Sequence, residues 1–319
     1  MARKFKSLET QLIHAGEPEP RIEGAVSMPI FQSATFEYSG ESQHDDLRYI
    51  RLNNTPNHKA LHQKLAALEK GEEALVTASG MAAISTTFFS LLSSGDHLLA
   101  QKRLYGGTHD FISKDFSSFG LSFDFIDGDD PDSWKEKLRP NTRAIYVESL
   151  TNPLLEVVDF KAVVEFAREN GLISLIDNTF TSPFNFRPLE WGFDLSLHSA
   201  TKYLNGHSDI VAGAVIGQAS QIEKIRQRLN HLGWSLDPHA CFLLHRGIKT
   251  LALRVRYQNE SGLKIAQFLE NHPAVAKVYY PGLPTHPRHQ RACEFFEGCG
   301  GMVSFEVKGG LEAAQSFLE

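Results

Sequence analysis

The stretch SLHSATKYLNGHSD, Ser196–Asp209, decides the fold class of this chain. It begins with the apolar–polar alternation of a half-buried β-strand and then places Lys202 just behind two hydroxyl residues, Ser199 and Thr201. Lysine is among the residues least often buried, so a core strand that runs into one calls for a cause. Either Lys202 is an ordinary surface lysine beyond a strand end, or the strand delivers an amine to a site at the edge of a sheet.

Upstream of this stretch, short apolar runs alternate with helical patterns from about residue 60. LHQKLAALEKG has leucines on one helical face and ends at Gly71, which is typical of an amphipathic helix. The runs with the pattern of strands are EALVTASG, HLLAQ, SFDFID, AIYVES, LISLID, DLSLHS and IVAGAVIG. Near-continuous apolar strands that alternate with helices indicate an α/β fold with a mostly parallel sheet covered on both faces.

The two ends of the chain lack this regular alternation of strand and helix patterns. The first 45 or so residues show no strong period and are interpreted as an extended arm. After Gly217, helical segments lead into AVAKVYYPGL and GMVSFEV, which predict a smaller α+β domain. The last segment, GGLEAAQSFLE, has the pattern of the start of an amphipathic helix, and the sequence stops there without a Gly or Pro terminator, so we expect this smaller domain to be incomplete.

Composition restricts the class of protein. The 319 residues carry a net charge of −6, which gives no basic footprint for nucleic acid. No apolar run approaches the roughly 20 residues that span a bilayer, and no apolar segment follows the basic N-terminus as in a secretory signal. Three widely spaced cysteines fit neither a disulfide framework nor a zinc site. We therefore expect a cytoplasmic globular protein that binds neither nucleic acid, membrane nor metal.

Four features lie at predicted strand ends. Asp177 closes LISLID, Lys202 follows DLSLHS, Asn152 follows AIYVES, and a Gly80–Met81 turn opens a helix after EALVTASG. In open parallel sheets, ligands bind in the crevice outside the carboxyl ends of the strands. These features are therefore expected to converge on one rim. Each has an ordinary alternative when taken alone: a surface lysine, an Asx turn at Asp177, or a tight strand-to-helix turn at Gly80.

Taken together, the set suits pyridoxal 5′-phosphate (PLP). This cofactor needs a lysine amine for a Schiff base, an acidic partner for its ring nitrogen and donors for its phosphate. Lys202 and Asp177 supply the first two, and the helix that opens at Gly80 supplies N–H groups and a favourable dipole for the phosphate. The hydroxyls of Ser199 and Thr201 are further phosphate donors.

The sequence also resembles the PLP-dependent trans-sulfuration enzymes of cysteine and methionine metabolism, which include cystathionine γ-synthase and the cystathionine γ- and β-lyases. The resemblance spans nearly the whole chain and is most specific in SATKYLNGHSD with DNTF 25 residues before its lysine. It implies the aspartate aminotransferase-like fold type I, with a mostly parallel seven-stranded sheet. The implied domains are an arm at 1–48, a PLP-binding large domain at 49–245 and an incomplete small domain at 246–319.

The resemblance also implies roles at matching positions. Lys202 would hold the cofactor and shuttle protons, Asp177 would pair with the ring nitrogen, and Tyr105 would stack on the ring and assist proton transfer. The remaining implied cofactor contacts are Gly80, Met81, Ser199 and Thr201 at the phosphate, Asn152 at the phenolic oxygen, and Tyr49 and Arg51 at the phosphate of a neighbouring subunit's cofactor. A homodimer would then be the minimum active unit, and a homotetramer the usual assembly.

Three departures from the family pattern bear on the substrate. LNNTPN, at 52–57, replaces the usual Ser/Thr-Gly-Asn-Pro-Thr, so the loop expected to line the substrate entrance differs. Gly107 stands where methionine γ-lyases carry a cysteine, which argues against that branch. Family members continue several tens of residues further, and the arginine that clamps the substrate carboxylate is expected there.

The predicted function is cleavage of a carbon–sulfur bond in a sulfur-containing amino acid, with γ-elimination from cystathionine favoured. Cystathionine γ-synthase, which replaces the acyl group of an O-acylhomoserine with cysteine, and cystathionine β-lyase remain alternatives. Two alternatives belong to other functional classes: an aminotransferase of related fold, and a PLP-binding assembly partner without catalytic activity.

Overall fold

The computed structural model describes residues 5–40 and 47–319. In these ranges the strands are β1 (Glu73–Thr77), β2 (His97–Gln101), β3 (Ser122–Ile126), β4 (Thr142–Glu148), β5 (Ile173–Asp177), β6 (Leu195–Ser199), β7 (Gly213–Gly217), β8 (Val275–Tyr279) and β9 (Ser304–Val307). The helices are α1 (Leu8–His14), α2 (Pro56–Glu69), α3 (Gly80–Leu91), α4 (Gly106–Asp110), α5 (Pro131–Lys137), α6 (Phe160–Glu169), α7 (Ser182–Asn185), α8 (Ala219–Leu232), α9 (Pro238–Ile248), α10 (Leu251–Glu270), α11 (His289–Phe295) and α12 (Gly310–Leu318).

A seven-stranded sheet forms the centre of the fold, in the order β1-β7-β6-β5-β4-β2-β3. The pairs from β6 through β5, β4 and β2 to β3 are all parallel, whereas β7 is antiparallel to both of its neighbours. Each of the seven apolar runs overlaps one of these strands, and the predicted mostly parallel α/β sheet is confirmed.

Helices cover both faces of this sheet because its strands present apolar side chains on both sides. On one face, Leu175 and Leu197 pack with Phe88 of α3 and Leu229 of α8. On the opposite face, Ile216 packs with Leu65 of α2 and Leu244 of α9. The sheet is thus a buried platform, and side chains placed just beyond its strand ends have a fixed position.

The C-terminal part is a smaller α+β unit. The 20-residue helix α10 leads into the antiparallel pair β8–β9, and α12 follows β9. Apolar packing here centres on Ala266, Tyr280 and Leu283. The domain boundaries at residues 48 and 245 remain predictions.

The N-terminal arm departs from the sequence-based expectation, because it contains a helix. Ser7 caps α1 by accepting a hydrogen bond from the N–H of Thr10, and Leu12 is buried against α2. Two turns of helix are too short to give a recognisable period, which explains why the sequence showed none. None of the helices in the described ranges is both long and apolar enough to cross a membrane.

Candidate active site

A cavity of about 500 Å³ lies at the carboxyl ends of β4, β5 and β6, beside the first turn of α3. This position follows the rule for open parallel sheets. Eight of the ten predicted site residues line it: Gly80, Met81, Tyr105, Asn152, Asp177, Ser199, Thr201 and Lys202. A wider cavity of about 720 Å³ adjoins it and shares Thr201 and Lys202.

Asp177 is the last residue of β5 and is buried. Its Oδ1 accepts the N–H of Thr179 at 2.9 Å, and the hydroxyl of Tyr146 donates to Oδ2 at 3.5 Å. Burial raises the pKa of Asp177 above its ordinary value, while the hydrogen bonds from Thr179 and the charge on His198 oppose that rise. The site therefore holds a desolvated carboxyl group that gains from a cationic partner.

Lys202 lies in the turn that follows β6, and its N–H donates to the carbonyl of Ser199 at 3.1 Å. Its side chain is exposed and lines both cavities. The strand thus ends at Ser199, and the lysine stands beyond it, at the junction between the inner cavity and the wider one.

The first turn of α3 faces the strand end that carries Ser199. A Cβ atom on Gly80 would approach the Cβ of Ser199 to 2.8 Å, so the two elements are in direct contact. In an α-helix the first N–H groups have no partner within the helix. Neither the N–H of Gly80 nor the N–H of Met81 donates a hydrogen bond to any atom of residues 5–40 and 47–319. Two free donors at the positive end of a helix form a natural anion site.

Ser199 and Thr201, the two hydroxyl residues predicted at this anion site, differ in the hydrogen bonds that they make within the chain. The Oγ1 of Thr201 donates to the carbonyl of Ala212 at 3.2 Å and accepts its N–H at 3.0 Å. The N–H of Ser199 is held by the hydroxyl of Thr179 at 2.8 Å, which fixes the backbone there. Thr201 therefore also has a structural task in joining the turn to the start of β7.

Glu148 is a site residue that the sequence analysis missed. It ends β4, lies in register with Asp177 and lines the cavity. Its Oε1 accepts the N–H of Tyr105 at 2.7 Å, and the backbone N–H of Asn152 also donates to its carboxyl group. Burial and the charge on Asp177 raise the pKa of Glu148 well above its ordinary value. The carboxyl group of Glu148 thus fixes the backbone of Tyr105 and Asn152, which are both predicted to contact the cofactor.

The other missed lining residues are Ser79, Ile84, Leu150, Thr179, Phe180, Val211 and Met302. Thr179 carried a signal, since it belongs to the DNTF segment that follows β5. Met302 carried none, because it lies 100 residues after Lys202, the nearest predicted site residue, and reaches the cavity only through the tertiary fold.

Tyr49 and Arg51 do not line the cavity of their own chain. Arg51 donates to the carbonyl of Asn230 at 2.7 Å, and its guanidinium lies 5.5 Å from the centre of the Tyr49 ring. Both side chains are exposed. Their predicted role at a neighbouring subunit's cofactor stays a prediction.

The LNNTPN segment also lies away from this cavity. Leu52, Asn53, Thr55 and Asn57 are buried in their own chain. The Nδ2 of Asn53 donates to the carbonyl of Val76 at 2.6 Å, which ties this segment to β1. The segment therefore has a structural role within the single chain, and a role at the substrate entrance stays a prediction.

These residues fit PLP, judged by the chemistry of the cavity itself. An amine, a buried carboxyl group and a helix start with free N–H groups are the three functions that the cofactor requires. The exposed ring of Tyr105 provides a face for stacking. Fold and cavity together define a PLP-dependent enzyme of the fold type I class.

Comparisons with known proteins give the family. The model of the family described as Cys/Met metabolism PLP-dependent enzyme matches residues 9–319, and the chain belongs to that family. A probable cystathionine gamma-synthase of Herpetosiphon aurantiacus is 45% identical over 97% of this chain and 97% of its own length. A cystathionine gamma-lyase of Bacillus subtilis is 41% identical over 97% of this chain and 81% of its own length.

A solved structure supports the same grouping. The crystal structure of cystathionine gamma-lyase from Lactobacillus plantarum complexed with L-serine superposes with a TM-score of 0.91 at 41% identity, over 96% of this chain and 80% of that one. The predicted family, fold type and cofactor are confirmed.

Proposed function

We propose that this chain is a carbon–sulfur lyase that cleaves cystathionine by γ-elimination. The observation that carries the proposal is the meeting of Lys202, Asp177 and the start of α3 in one cavity of a Cys/Met-metabolism family member. Relatives named cystathionine gamma-lyase from Bacillus subtilis and Bos taurus are 41% and 40% identical to the chain, which supports this substrate.

Bound PLP supplies an electron-accepting ring that makes the Cα proton of an amino acid acidic. Lys202 would hold the cofactor through its amine, and the same amine would move the proton at Cα of the substrate. Asp177 binds the ring nitrogen and stabilises its proton, because a buried carboxylate gains from a cation beside it. The N–H groups of Gly80 and Met81 hold the phosphate, and Tyr105 stacks on the ring.

Cystathionine γ-synthase is the second candidate, and one observation favours it. The protein of Herpetosiphon aurantiacus named as a probable cystathionine gamma-synthase is 45% identical to this chain, against 41% and 40% for the lyases of Bacillus subtilis and Bos taurus. Elimination and replacement share the same first steps, so the residues around Lys202 serve either reaction. Gly107 supports both over methionine γ-cleavage, because methionine γ-lyases carry a cysteine at this position. A Cβ on Gly107 would also approach the Tyr105 ring to 2.7 Å.

The proposal includes an assembly and a location. Tyr49 and Arg51 lie outside their own cavity, which supports a homodimer in which each protomer completes its partner's site, and a homotetramer of two such dimers. Three cysteines without a disulfide among the described residues support a cytoplasmic location.

Product analysis tests the function. The PLP-loaded protein is incubated with cystathionine, and separately with an O-acylhomoserine plus cysteine. Cysteine with 2-oxobutanoate is the result expected of γ-elimination, whereas homocysteine with pyruvate identifies a β-lyase and cystathionine identifies the synthase. Binding of PLP without turnover of any of these substrates refutes the proposal and points to an assembly partner.

A further inference from the structure

Tyr146 is a fully buried aromatic residue of β4 that the proposed chemistry does not use. Its ring packs edge-to-face on Phe88 of α3, with 5.3 Å between the ring centres. Tyr146 and Glu148 stand two positions apart on one strand, so their side chains lie on the same face of the sheet. The ring of Tyr146 thus fills the core beneath α3, while its hydroxyl lies at the cavity end of the sheet, beside Asp177.

The hydroxyl of Tyr146 is committed to Asp177. Among residues 5–40 and 47–319 its one acceptor is the Oδ2 of Asp177, at 3.5 Å. A buried hydroxyl group needs such a partner, because water is excluded from its surroundings. Burial and the charges on Asp177 and Glu148 raise the pKa of Tyr146 well above its ordinary value, so the phenol keeps its proton. Tyr146 therefore remains a hydrogen-bond donor throughout the neutral and acidic range.

Asp177 receives donors from two different segments. The N–H of Thr179, just after β5, donates to its Oδ1 at 2.9 Å, and the hydroxyl of Tyr146 reaches its Oδ2 from β4. An ionised carboxylate offers about four acceptor positions on its two oxygens, so each oxygen keeps capacity for a further donor. Because the carboxyl group also lines the cavity, this arrangement restricts its rotation and still leaves it able to bind a donor there.

We propose that Tyr146 is a positioning residue for Asp177, whose hydroxyl orients the carboxyl group and favours its ionised form. This inference rests on the proposed role of Asp177 at the cofactor's ring nitrogen. A hydrogen bond to the charged form of an acid favours that form. The bond from Tyr146 lowers the pKa of Asp177 and so opposes the rise that burial causes.

Several other titratable groups surround Asp177, and Tyr146→Phe alters none of them. They are Glu148 from β4, His198 from β6, Lys202 from the turn after β6, and Tyr105, which precedes α4 and lines the same cavity. The first turn of α3 contributes Gly80 and Met81, which do not titrate. A difference between the pH profiles of the wild type and Tyr146→Phe therefore reports on the lost hydroxyl group.

The consequence is a defined dependence on pH. A carboxyl group binds a protonated ring nitrogen only when it is ionised, so PLP affinity falls as the pH drops through the pKa of Asp177. In Tyr146→Phe this pKa is higher, and the loss of affinity begins at a higher pH. Well above both pKa values Asp177 is ionised with and without PLP, so the lost hydrogen bond cancels from the Kd. A general packing defect weakens PLP binding at every pH instead.

The experiment measures the PLP Kd of the wild type and Tyr146→Phe by absorption titration from pH 5 to 8.5, with thermal unfolding of both proteins without PLP. We expect equal Kd values at pH 8.5. At the acidic end we expect the Kd of Tyr146→Phe to be roughly three- to tenfold higher, which corresponds to a pKa shift of about half a unit to one unit. The titration of PLP itself is common to both proteins and cancels from this ratio.

Thr142→Val is the matched control, because Thr142 begins the same strand and its buried hydroxyl lies at the opposite end of it. This hydroxyl accepts the N–H of Arg139 at 2.8 Å and lies 2.8 Å from the Nδ1 of His97. Its removal is expected to lower the melting temperature, while the ratio of the PLP Kd to that of the wild type stays near one at every pH.

A folded Tyr146→Phe protein with the same Kd ratio at pH 5 and pH 8.5 overturns the inference, whether that ratio is one or higher. If Tyr146→Phe does not fold, Tyr146→Met, which fills much of the space without a donor, is measured in the same way with the same two outcomes. Failure of the wild type itself to bind PLP refutes the proposed function instead, so the two failures are distinguishable.

Discussion

At the scale of single residues, the site depends on carboxyl groups as much as on its lysine. Glu148 accepts the backbone N–H groups of Tyr105 and Asn152 while it lies beside Asp177. The charge on Asp177 adds to burial in raising the pKa of Glu148, whereas the hydrogen bonds from Thr179 oppose the rise that burial causes in the pKa of Asp177. Glu148 serves through its acceptor oxygen, whereas the proposed role of Asp177 needs a charge.

Glu148→Gln and Glu148→Ala separate these two properties. Gln keeps an acceptor oxygen, so we expect PLP affinity near that of the wild type. Ala leaves the N–H groups of Tyr105 and Asn152 without this acceptor, at about 0.5–1.5 kcal/mol each, and we expect a lower melting temperature and a PLP Kd about tenfold higher. Absorption titration and thermal melts measure both. Equal PLP binding by Glu148→Ala and the wild type contradicts this account.

The meeting of the main side chains at one edge of the sheet could be predicted from the sequence. Lys202 and Asp177 each follow an apolar strand, and parallel strands end at a common rim. Glu148 obeys the same rule at the end of AIYVE, so its signal was present and went unused. Phe180 and Met302 obey no such rule, because tertiary packing brings them to the cavity.

At the scale of elements, the start of α3 determines the anion site. Its contact with β6 requires Gly80, whose absent side chain leaves room for Ser199. Gly106, at the start of α4, has no atom within 4 Å of the position that a Cβ would take. The two glycines therefore form a matched pair at the first position of a helix.

Gly80→Ala is expected to push α3 away from Ser199, at a cost of about 1–3 kcal/mol, and to weaken PLP binding. Gly106→Ala is expected to be neutral or stabilising by up to about 1 kcal/mol, since alanine loses less entropy on folding. Denaturant unfolding and PLP titration of both variants check this. A Gly80→Ala protein that equals Gly106→Ala in both measurements contradicts the assignment of the anion site.

Helix α2 carries a second prediction, on the pH dependence of stability. Lys64 is fully buried, and its Nζ donates to the carbonyl of Leu12 at 2.8 Å. Burial lowers the pKa of Lys64 to about 7, against 10.5 for the free side chain. Between these values the unfolded chain binds the proton and the folded chain does not, so this group destabilises the fold at pH 7 and below and ceases to do so as the pH rises towards 10.5.

Relative to Lys64→Met, the wild type is therefore expected to gain free energy of unfolding from pH 7 to 9.5, with a slope of up to about 1.4 kcal/mol per pH unit. Denaturant unfolding at several pH values measures the difference. Parallel pH profiles for the two proteins show that Lys64 stays charged in the fold.

The elements themselves were largely predictable, because apolar strands and amphipathic helices have distinct periods. The reversed direction of β7 was not predicted. The segment between β6 and β7 contains no helix, and parallel neighbours normally need a crossover helix, so an antiparallel pair follows. Helix α1 was missed because two turns do not establish a period.

At the scale of the whole molecule, the site of a single chain is open beside Lys202. Tyr49 and Arg51 are exposed on the same chain without reaching its cavity. The proposed symmetric dimer, in which these residues are exchanged between protomers, would supply an arginine to each phosphate, a group that the guanidinium fork binds well.

Mixing inactive variants tests this arrangement. Arg51→Ala and Lys202→Ala are each expected to be inactive, while a dimer with one protomer of each contains one complete site. Random exchange of protomers should then restore roughly a quarter of the wild-type activity. Protomers with two different tags verify the exchange, and a mixed dimer that stays inactive contradicts the shared site.

The central claim is that Lys202 holds PLP in this cavity. Wild type and Lys202→Ala are loaded with PLP, reduced with borohydride and digested, and the labelled peptide is identified by mass spectrometry. The account predicts a single PLP label on the peptide that contains Lys202, and none in Lys202→Ala. An unlabelled wild type, or a label on another lysine, contradicts it.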